Sequence, residues 1–457
     1  MKNKITATFV FTLLVVVGLL VLYYVPEVKI DGKALRRIDL LSDLRPDAPV
    51  EEVSDTDSVV LPRPVKPVFV DSCKAGLVCI EDYSDTTYQS MDAFYQALSD
   101  RQTLGRPVRI AYFGDSFIEG DILTGDLRSM LQSKFGGCGV GYVGITSAVA
   151  GFRPTVHHTF NGWSSHAVTD AEGFDRSKQD ISNHYFIPGV GASVALKGTS
   201  HVPHLDSCQI SSFYFYAPDS VWLSASVNGG NLKTFCLSPD SSAVRVVSVN
   251  GDIRSVRWQV DSVAGAVRCF AATMDAKTGV QLDNFSLRGS GGQQLMNIPL
   301  AVLKSYARLR TYDLIVLQYG LNVASEEVRD YSYYTRAMEQ VIAHLKRAFP
   351  HTSILIVGVG DREQRSDEGE LQTMPGVKNL IRYQQALAAN THVAFWNMFQ
   401  AMGGEGSMAE MAHGKPSLAN LDYTHINFRG GRRIAGLLCD ALVYGWEQYE
   451  RRMAYEE

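Results

Sequence analysis

Short apolar runs alternate with amphipathic segments over much of the chain, and this alternation limits the possible folds more than any other feature. The runs at 108–113, 312–317 and 353–359 are almost continuously apolar, and segments with helical spacing follow them. Strands that are apolar on both faces must be covered on both faces, as in a parallel sheet between layers of helices. The sequence therefore predicts an α/β fold in which a parallel sheet lies between two helical layers. Helices are expected at 91–104, 122–135, 328–349, 377–390 and 432–449.

The region from about 150 to 280 has a different pattern. Stretches such as 220–230 and 243–251 alternate apolar and polar residues, and Asn-Gly or Gly turns separate them. Several short strands at close spacing are typical of an all-β module, most often a sandwich. We therefore expect a β-sandwich inserted into the α/β domain. The glycine-rich stretch at 136–144 lacks the ending of a phosphate-binding loop and is interpreted as a tight connection.

The N-terminal segment is strongly apolar. Residues 5–25 carry no charge, and Lys2 and Lys4 precede them. A run of this length can cross a hydrocarbon core of about 30 Å as a helix, and positive charge before it favours a cytoplasmic amino end. A cleaved signal peptide is the alternative. Both interpretations place the rest of the chain outside the cytoplasm, on the periplasmic side of a cell envelope, either anchored or secreted.

The expected organisation has five parts. Residues 26–70 are rich in proline, poor in aromatic residues and mixed in charge, which is typical of a tether. In chain order we expect a membrane anchor or signal peptide at 1–25, a linker at 26–75, the first part of the α/β domain at 76–149, the β-sandwich at 150–280 and the second part of the α/β domain at 281–457.

Charge and cysteine content exclude some functions. The formal net charge is −5 and no long basic run is present, so the sequence does not suggest a nucleic-acid partner. Of the seven cysteines, Cys73 and Cys79 are close enough to form a disulfide. The cysteine and histidine spacings do not form a metal site. We expect neither a metal nor an organic cofactor.

Residues that can carry out chemistry follow the predicted strands. Ser116 comes just after the first strand, Gly289 precedes the second apolar run, and Asn322 follows that run. Asp422 and His425 lie close to the start of the last helix. Ligands of open α/β sheets bind outside the carboxyl ends of the strands. We therefore expect these five residues to meet at one edge of the sheet.

This set of residue types suits nucleophilic attack on an ester. A serine hydroxyl needs a base to remove its proton, and His425 can be that base. Asp422 can accept the other imidazole N–H and stabilise the imidazolium. The oxyanion that forms needs donors already aimed at it. The backbone N–H groups of Ser116 and Gly289 and the side-chain amide of Asn322 can supply them.

The motifs around these residues resemble the SGNH (GDSL-type) hydrolase superfamily. The four segments FGDS, NFSLRG, YGLN and DYTH occur in the family's order, and each motif alone is weak evidence. The resemblance implies a three-layer α/β/α sandwich, with Ser116 as nucleophile and first oxyanion donor, Asp422 and His425 completing a triad, and Gly289 and Asn322 as further donors. Gly291 and Gly292 are alternatives to Gly289. An acidic residue often follows the asparagine in this family, but here it is Val323.

A narrower resemblance covers the C-terminal half. The segment FWNMFQAMGGEGSM at 395–408 is similar to one in cell-wall O-acetylesterases of this superfamily, which also carry a β-sandwich inserted after the first motif. This resemblance implies a serine esterase that removes acetyl groups from a bacterial polysaccharide, most often peptidoglycan. Two alternatives stay open. One is a polysaccharide O-acetyltransferase with the same triad, working beside an acyl-exporting membrane protein; the other is a glycan-binding protein without catalytic activity.

Overall fold

A computed structural model of the chain describes residues 2–24, 29–30, 33–34, 73–84, 89–170, 172–326, 328–366 and 368–456. The chain divides into two units, 1–68 and 69–457. The linker expected at 26–75 lies almost wholly outside the described residues.

The first unit contains a long helix, α1 (Lys2–Tyr24), and a short antiparallel pair, β1 (Lys29–Ile30) and β2 (Lys33–Ala34). Among the residues that the structure describes, no helix is both long and apolar enough to cross a membrane. A helix thus forms where the anchor was expected at 1–25, but its described part does not meet the requirements of a membrane span. The membrane anchor is therefore not supported.

The second unit contains two large sheets and the helices that cover one of them. Its described strands are β3 (Glu81–Asp82), β4 (Val108–Gly114), β5 (Gly141–Gly144), β6 (Val156–Ala167), β7 (His184–Gly198), β8 (Cys208–Tyr216), β9 (Val221–Val227), β10 (Lys233–Leu237), β11 (Arg245–Ile253), β12 (Ser255–Val263), β13 (Arg268–Met274), β14 (Val280–Ser286), β15 (Leu314–Gln318), β16 (Ser353–Val357), β17 (Glu363–Arg365), β18 (Leu371–Thr373) and β19 (Ala394–Trp396). Its described helices are α2 (Asp92–Ser99), α3 (Thr124–Phe135), α4 (Leu300–Leu309), α5 (Ser332–Ala348), α6 (Pro375–Thr391), α7 (Met398–Met402), α8 (Ser407–His413) and α9 (Phe428–Glu456).

The first sheet has the order β14-β4-β15-β16-β19-β3, and all neighbouring pairs are parallel except β19 and β3 at the edge. Every residue of β15 and β16 is buried, so both faces of the sheet are covered. Helices α2 and α3 pack on α9, whereas α4 and α6 pack on α5. These two helical groups and the sheet form the α/β/α architecture that the apolar runs predict.

The second sheet is antiparallel and joins nine strands, β5 to β13. It encloses its own apolar core, in which the Trp258 side chain is fully buried. The expected all-β module is therefore confirmed as part of the fold. One local prediction is wrong: the end of the glycine-rich stretch is not a simple connection but strand β5, which pairs with β13. The buried side chains of Tyr142 and Val143 hold it there, and a four-residue strand is too short to show a polarity pattern.

A buried cluster of charges lies where the two sheets meet. Arg310, just after α4, pairs with Asp275 after β13 (Nη1–Oδ2 2.7 Å) and with Asp283 on β14 (Nε–Oδ2 2.5 Å). The Tyr312 hydroxyl donates to Asp283 at 2.7 Å, and the backbone N–H of Tyr142 on β5 donates to the same carboxylate at 2.9 Å. All three charged side chains are almost completely removed from solvent. The cluster therefore ties the antiparallel sheet to the parallel one.

Candidate active site

Ser116 lies directly beyond the carboxyl end of β4. Asp115 is extended, and its side chain accepts a hydrogen bond from the backbone N–H of Phe117 at 3.0 Å. This bond caps the first of two short helical turns in Ser116–Asp121, which a kink at Glu119 and Gly120 separates. The turn leaves Ser116 partly exposed at the edge of the sheet.

The structure brings Ser116 together with the predicted acid–base pair. Ser116 Oγ lies 3.1 Å from His425 Nε2, and His425 Nδ1 lies 2.9 Å from Asp422 Oδ2. The second oxygen of Asp422 accepts the backbone N–H groups of Thr424 at 3.0 Å and His425 at 2.9 Å. One aspartate thus closes the DYTH turn and orients the imidazole. These distances are those of a serine–histidine–aspartate hydrogen-bonded chain.

The electrostatics of Asp422 decide which ring nitrogen of His425 carries the proton. Partial burial acts to raise the pKa of Asp422, but the hydrogen bonds from His425 and Thr424 outweigh it and lower the pKa below its ordinary value. The carboxylate is therefore ionised at neutral pH and can only accept a hydrogen bond. His425 accordingly carries its proton on Nδ1, which leaves Nε2 as the acceptor facing the Ser116 hydroxyl.

The predicted oxyanion donors lie at the same sheet edge. Ser286 of β14 and Gln318 of β15 both pair with Gly114, the last residue of β4, so Gly289 and Asn322 follow strands that end level with it. Among the turn and loop hydrogen bonds between backbone groups of the described residues, none is donated by the N–H of Ser116 or Gly289. The side-chain Nδ2 of Asn322 donates to the backbone oxygen of Ser290 at 3.0 Å, which ties the third motif to the second.

Gly289 and its alternative Gly292 both have a positive φ (+75° and +94°), so hydrogen bonding and not conformation separates them. Residues with a side chain rarely adopt the φ of Gly289, so the turn after β14 requires glycine there. Of the two alternatives, Gly292 already uses its N–H, which donates to Ser290 Oγ at 3.0 Å. The geometry therefore favours Gly289 over Gly292 as a donor.

Several residues that were not predicted as site residues hold the motifs in register. The backbone N–H of Leu321 acts to lower the pKa of the Asp115 carboxyl, so the third motif lies beside the first. Arg362 donates to the backbone oxygen of Leu321 at 3.0 Å, and the N–H of Glu363 donates to that of Tyr423 at 3.0 Å. The loop after β16 thus contacts both the third and the last motif. No local sequence pattern reveals such contacts between distant segments.

Asp121 is another residue that was not predicted as part of the site. It is the buried last residue of the Ser116 turn, and it accepts from Arg153 Nε at 2.8 Å, Arg128 Nη1 at 3.1 Å and Asn284 Nδ2 at 2.8 Å. Burial acts to raise the pKa of Asp121, but the charges of Arg128 and Arg153 hold it well below its ordinary value. The carboxylate therefore joins the first motif to β14 and to the segment that enters the antiparallel sheet.

The histidines of the antiparallel sheet and its loops do not form a metal-binding group. His158 is buried and bonds through Nε2 to the backbone oxygen of Ile145 at 3.0 Å, and His204 Nε2 lies 3.0 Å from Ser133 Oγ. Across the described ranges, no cluster of three His, Cys, Asp or Glu side chains is arranged to hold a metal ion.

Asp115 should make the stability of the chain depend on pH. Burial raises the pKa of its carboxyl from 3.8 to about 6. Between these values the folded chain keeps a proton that the unfolded chain releases, so this group's contribution to stability is full below pH 3.8 and is lost as the pH rises to about 6. The carboxamide of the Asp115→Asn variant does not titrate. We expect the free energy of unfolding of the wild type, relative to Asp115→Asn, to fall by about 3 kcal/mol over this range.

Denaturant titrations of both proteins at a series of pH values measure this difference. A difference between wild type and Asp115→Asn that stays constant from about pH 4 to pH 6 would show that Asp115 is already ionised at the acid end.

A known structure shares this fold. A solved structure described as a peptidoglycan O-acetylesterase in action is 21% identical, with a TM-score of 0.66 over 80% of this chain and 99% of its own. A family two carbohydrate esterase from Clostridium thermocellum is 13% identical, with a TM-score of 0.27 over 62% and 96% of the two chains. One from Cellvibrio japonicus is 10% identical, with a TM-score of 0.25 over 64% and 99%.

Comparison with protein-family models gives no match, and comparison with curated protein sequences gives none either. The likeness to the peptidoglycan O-acetylesterase is therefore one of fold. It confirms the fold class that the resemblance to SGNH hydrolases implies, an α/β core with an additional β module.

Proposed function

We propose that the chain is a serine esterase that removes O-acetyl groups from a polysaccharide, with Ser116 as its nucleophile. The observation that carries this proposal is the hydrogen-bonded chain from Ser116 Oγ to His425 Nε2 (3.1 Å) and from His425 Nδ1 to Asp422 (2.9 Å). A glycan-binding protein without catalytic activity has no need of these aligned hydrogen bonds. The fold shared with a peptidoglycan O-acetylesterase supports the same conclusion.

The geometry supports a two-step reaction. His425 Nε2 takes the hydroxyl proton of Ser116 as its Oγ attacks the acetyl carbonyl carbon, and the carbonyl oxygen becomes an oxyanion. When this intermediate collapses, the bond to the sugar oxygen breaks and His425 returns the proton to that oxygen. Water then attacks the acetyl-serine, His425 takes a proton from the water, and collapse restores the Ser116 hydroxyl and releases acetate. Asp422 stabilises the imidazolium in both steps.

Asn322 should contribute to the rate through its side-chain amide. We expect Asn322→Ala to lower kcat for acetate release by about 10²–10³-fold, because one oxyanion donor is lost, with a smaller effect on KM. Steady-state kinetics on p-nitrophenyl acetate measure both constants. Asn250→Ala, an exposed substitution on β11, is the matched control. A change in KM alone would place Asn322 in substrate binding and not in oxyanion stabilisation.

We infer that the substrate is acetylated peptidoglycan and that the enzyme works outside the cytoplasm. The disulfide between Cys73 and Cys79 supports an oxidising compartment, where such bonds persist. The protein that shares the fold acts on peptidoglycan by its description. Acetate release from O-acetylated peptidoglycan should exceed that from acetylated xylan at equal acetyl content. The reverse preference would contradict this substrate assignment.

Exposure of the site favours water as the acetyl acceptor over a sugar hydroxyl. The side chains of His425 and Asp422 are 42% and 49% exposed, so water reaches the acetyl-serine freely. A transferase must exclude water from this intermediate. With p-nitrophenyl acetate and a chito-oligosaccharide acceptor, we therefore expect acetate as the product. Accumulation of acetylated oligosaccharide would assign the chain as an acetyltransferase.

A further inference from the structure

Two phenylalanine rings from distant segments meet beside the triad. Phe152 lies in the connection from β5 to β6, and its ring centroid is 5.2 Å from that of Phe428, the first residue of α9. His201, from the loop between β7 and β8, also contacts Phe428, with centroids 6.2 Å apart. We call these three side chains the aromatic shelf. Phe428 follows His425 by three residues, so the shelf adjoins the catalytic base.

The shelf also adjoins the nucleophile. Gly120 lies in the Ser116 turn with φ +62°, and a Cβ there would lie 2.8 Å from Cδ1 of Phe152. The Phe152 ring therefore rests directly on the backbone of this turn. Arg153, the next residue, is anchored to buried Asp121 at 2.8 Å. Phe152 is thus held firmly between the turn that carries Ser116 and the helix that follows His425.

Phe152 nevertheless remains 54% exposed. A fixed aromatic ring that presents its surface to solvent offers apolar contact area at little cost in side-chain entropy. Small-molecule sites typically combine such rings with a few polar groups that orient the ligand. An exposed ring between the segments that carry Ser116 and His425 is therefore well placed to contact the part of the substrate that does not react.

The surroundings of the shelf are polar. Glu119, directly before Gly120, pairs with Arg288, which precedes Gly289 and is 71% exposed. Arg429, directly after Phe428, is exposed as well. A fatty acyl chain would require an enclosed apolar channel, whereas this open shelf has a charged rim. A pyranose ring fits both features, since it has an apolar face of C–H groups and a periphery of hydroxyls.

We propose that the aromatic shelf is a sugar subsite, in which Phe152 stacks on a pyranose ring of the glycan while its ester reaches Ser116. This inference rests on the proposed function. It adds that the aromatic shelf makes the enzyme favour a glycan over a small ester. Removing the ring should weaken glycan binding about tenfold, because roughly half of a phenylalanine side chain is covered by the ligand.

Binding to the full chain carrying Ser116→Ala, which does not turn over, tests the subsite directly. The probe is chitotetraose, and isothermal titration calorimetry gives its Kd. We expect Phe152→Ala in this background to raise Kd about tenfold and Phe152→Trp to keep it within about twofold. Phe160→Ala is the matched control, because Phe160 is also exposed (39%) but lies on β6 of the antiparallel sheet. Its Kd should equal that of the parent.

Three results would overturn the subsite. They are no binding of chitotetraose by the parent, equal affinities of the parent and Phe152→Ala, and equal losses in Phe152→Ala and Phe160→Ala. Thermal melting of each variant establishes that the fold is intact, and Phe152→Trp tests stacking even if the alanine variant unfolds.

Activity separates failure of the subsite from failure of the proposed function. In the Ser116-containing chain, Phe152→Ala should lower kcat/KM for acetylated chitotetraose relative to that for p-nitrophenyl acetate by about tenfold. Glycan binding that depends on Phe152, without any Ser116-dependent ester cleavage, would support the subsite and contradict the esterase. Ester cleavage with an unchanged ratio would support the esterase and overturn the subsite.

Discussion

Ser116→Ala should reduce kcat/KM for acetate release by at least about 10⁴-fold, the largest effect we expect from any single substitution. Without Oγ no acetyl-serine forms, and His425 and the oxyanion donors can only assist direct attack by water. We expect the residual activity of Ser116→Ala to lie near the rate of that assisted reaction. Release of acetate from acetylated chitotetraose, with wild type and variant at equal concentration, measures the loss.

Ser305→Ala is the matched control for this substitution. Ser305 lies on α4, where its hydroxyl donates to the backbone oxygen of Ala301 at 2.9 Å, and it should keep full activity. Binding of chitotetraose should be the same in Ser116→Ala and wild type, since the hydroxyl serves the reaction and not the sugar. Activity of Ser116→Ala above about one hundredth of wild type would require a different nucleophile.

Arg310→Ala should cause the largest loss of stability, about 3–5 kcal/mol. The guanidinium makes paired hydrogen bonds to Asp275 (2.7 and 2.8 Å) and also pairs with Asp283, all in the buried interior. Removing it leaves two buried carboxylates close together without the guanidinium that pairs with both. Because Arg310 lies between the two sheets, we expect both sheets to be destabilised together and to unfold in one transition. The midpoint of denaturant unfolding of the full chain, followed by fluorescence, measures it.

The pH dependence of this loss distinguishes uncompensated charge from lost packing. In the wild type, burial acts to raise the pKa of Asp283, but Arg310 outweighs it and holds the pKa below its ordinary value. Without Arg310 the buried Asp283 carboxyl should have a raised pKa, so it protonates at acid pH and the deficit shrinks there. Arg308 is an exposed cation on α4, the helix just before Arg310, and Arg308→Ala should change stability by less than about 0.5 kcal/mol. A deficit that is the same at every pH would point to lost packing alone.

Strands and helices of the α/β core are predictable from the sequence because their burial is regular. The runs at 312–317 and 353–359 become β15 (Leu314–Gln318) and β16 (Ser353–Val357), and the helix expected at 122–135 becomes α3 (Thr124–Phe135). A strand buried on both faces needs a continuous apolar run, which leaves little freedom in its placement. The order of the motifs along such strands then predicts which residues meet at the sheet edge.

Contacts between distant segments are not predictable in this way. Asp121 with Arg153, Arg310 with Asp275, and Phe152 with Phe428 each join residues that no periodicity relates. Such pairs depend on how the antiparallel sheet is set against the α/β core. The anchor expected at 1–25 rested on the apolar run and on the lysines before it, and it is not supported, because no helix among the described residues is long and apolar enough to span a membrane.

Covalent labelling tests the central claim most directly, namely that Ser116 is the nucleophile of an esterase. Diethyl p-nitrophenyl phosphate transfers its phosphoryl group to activated serines, and peptide mapping by mass spectrometry locates the adduct. We expect one diethylphosphoryl group on Ser116, formed in step with the loss of acetate release, and no adduct in His425→Ala. An adduct on another residue, or full acetate release by protein labelled completely on Ser116, would contradict the assignment.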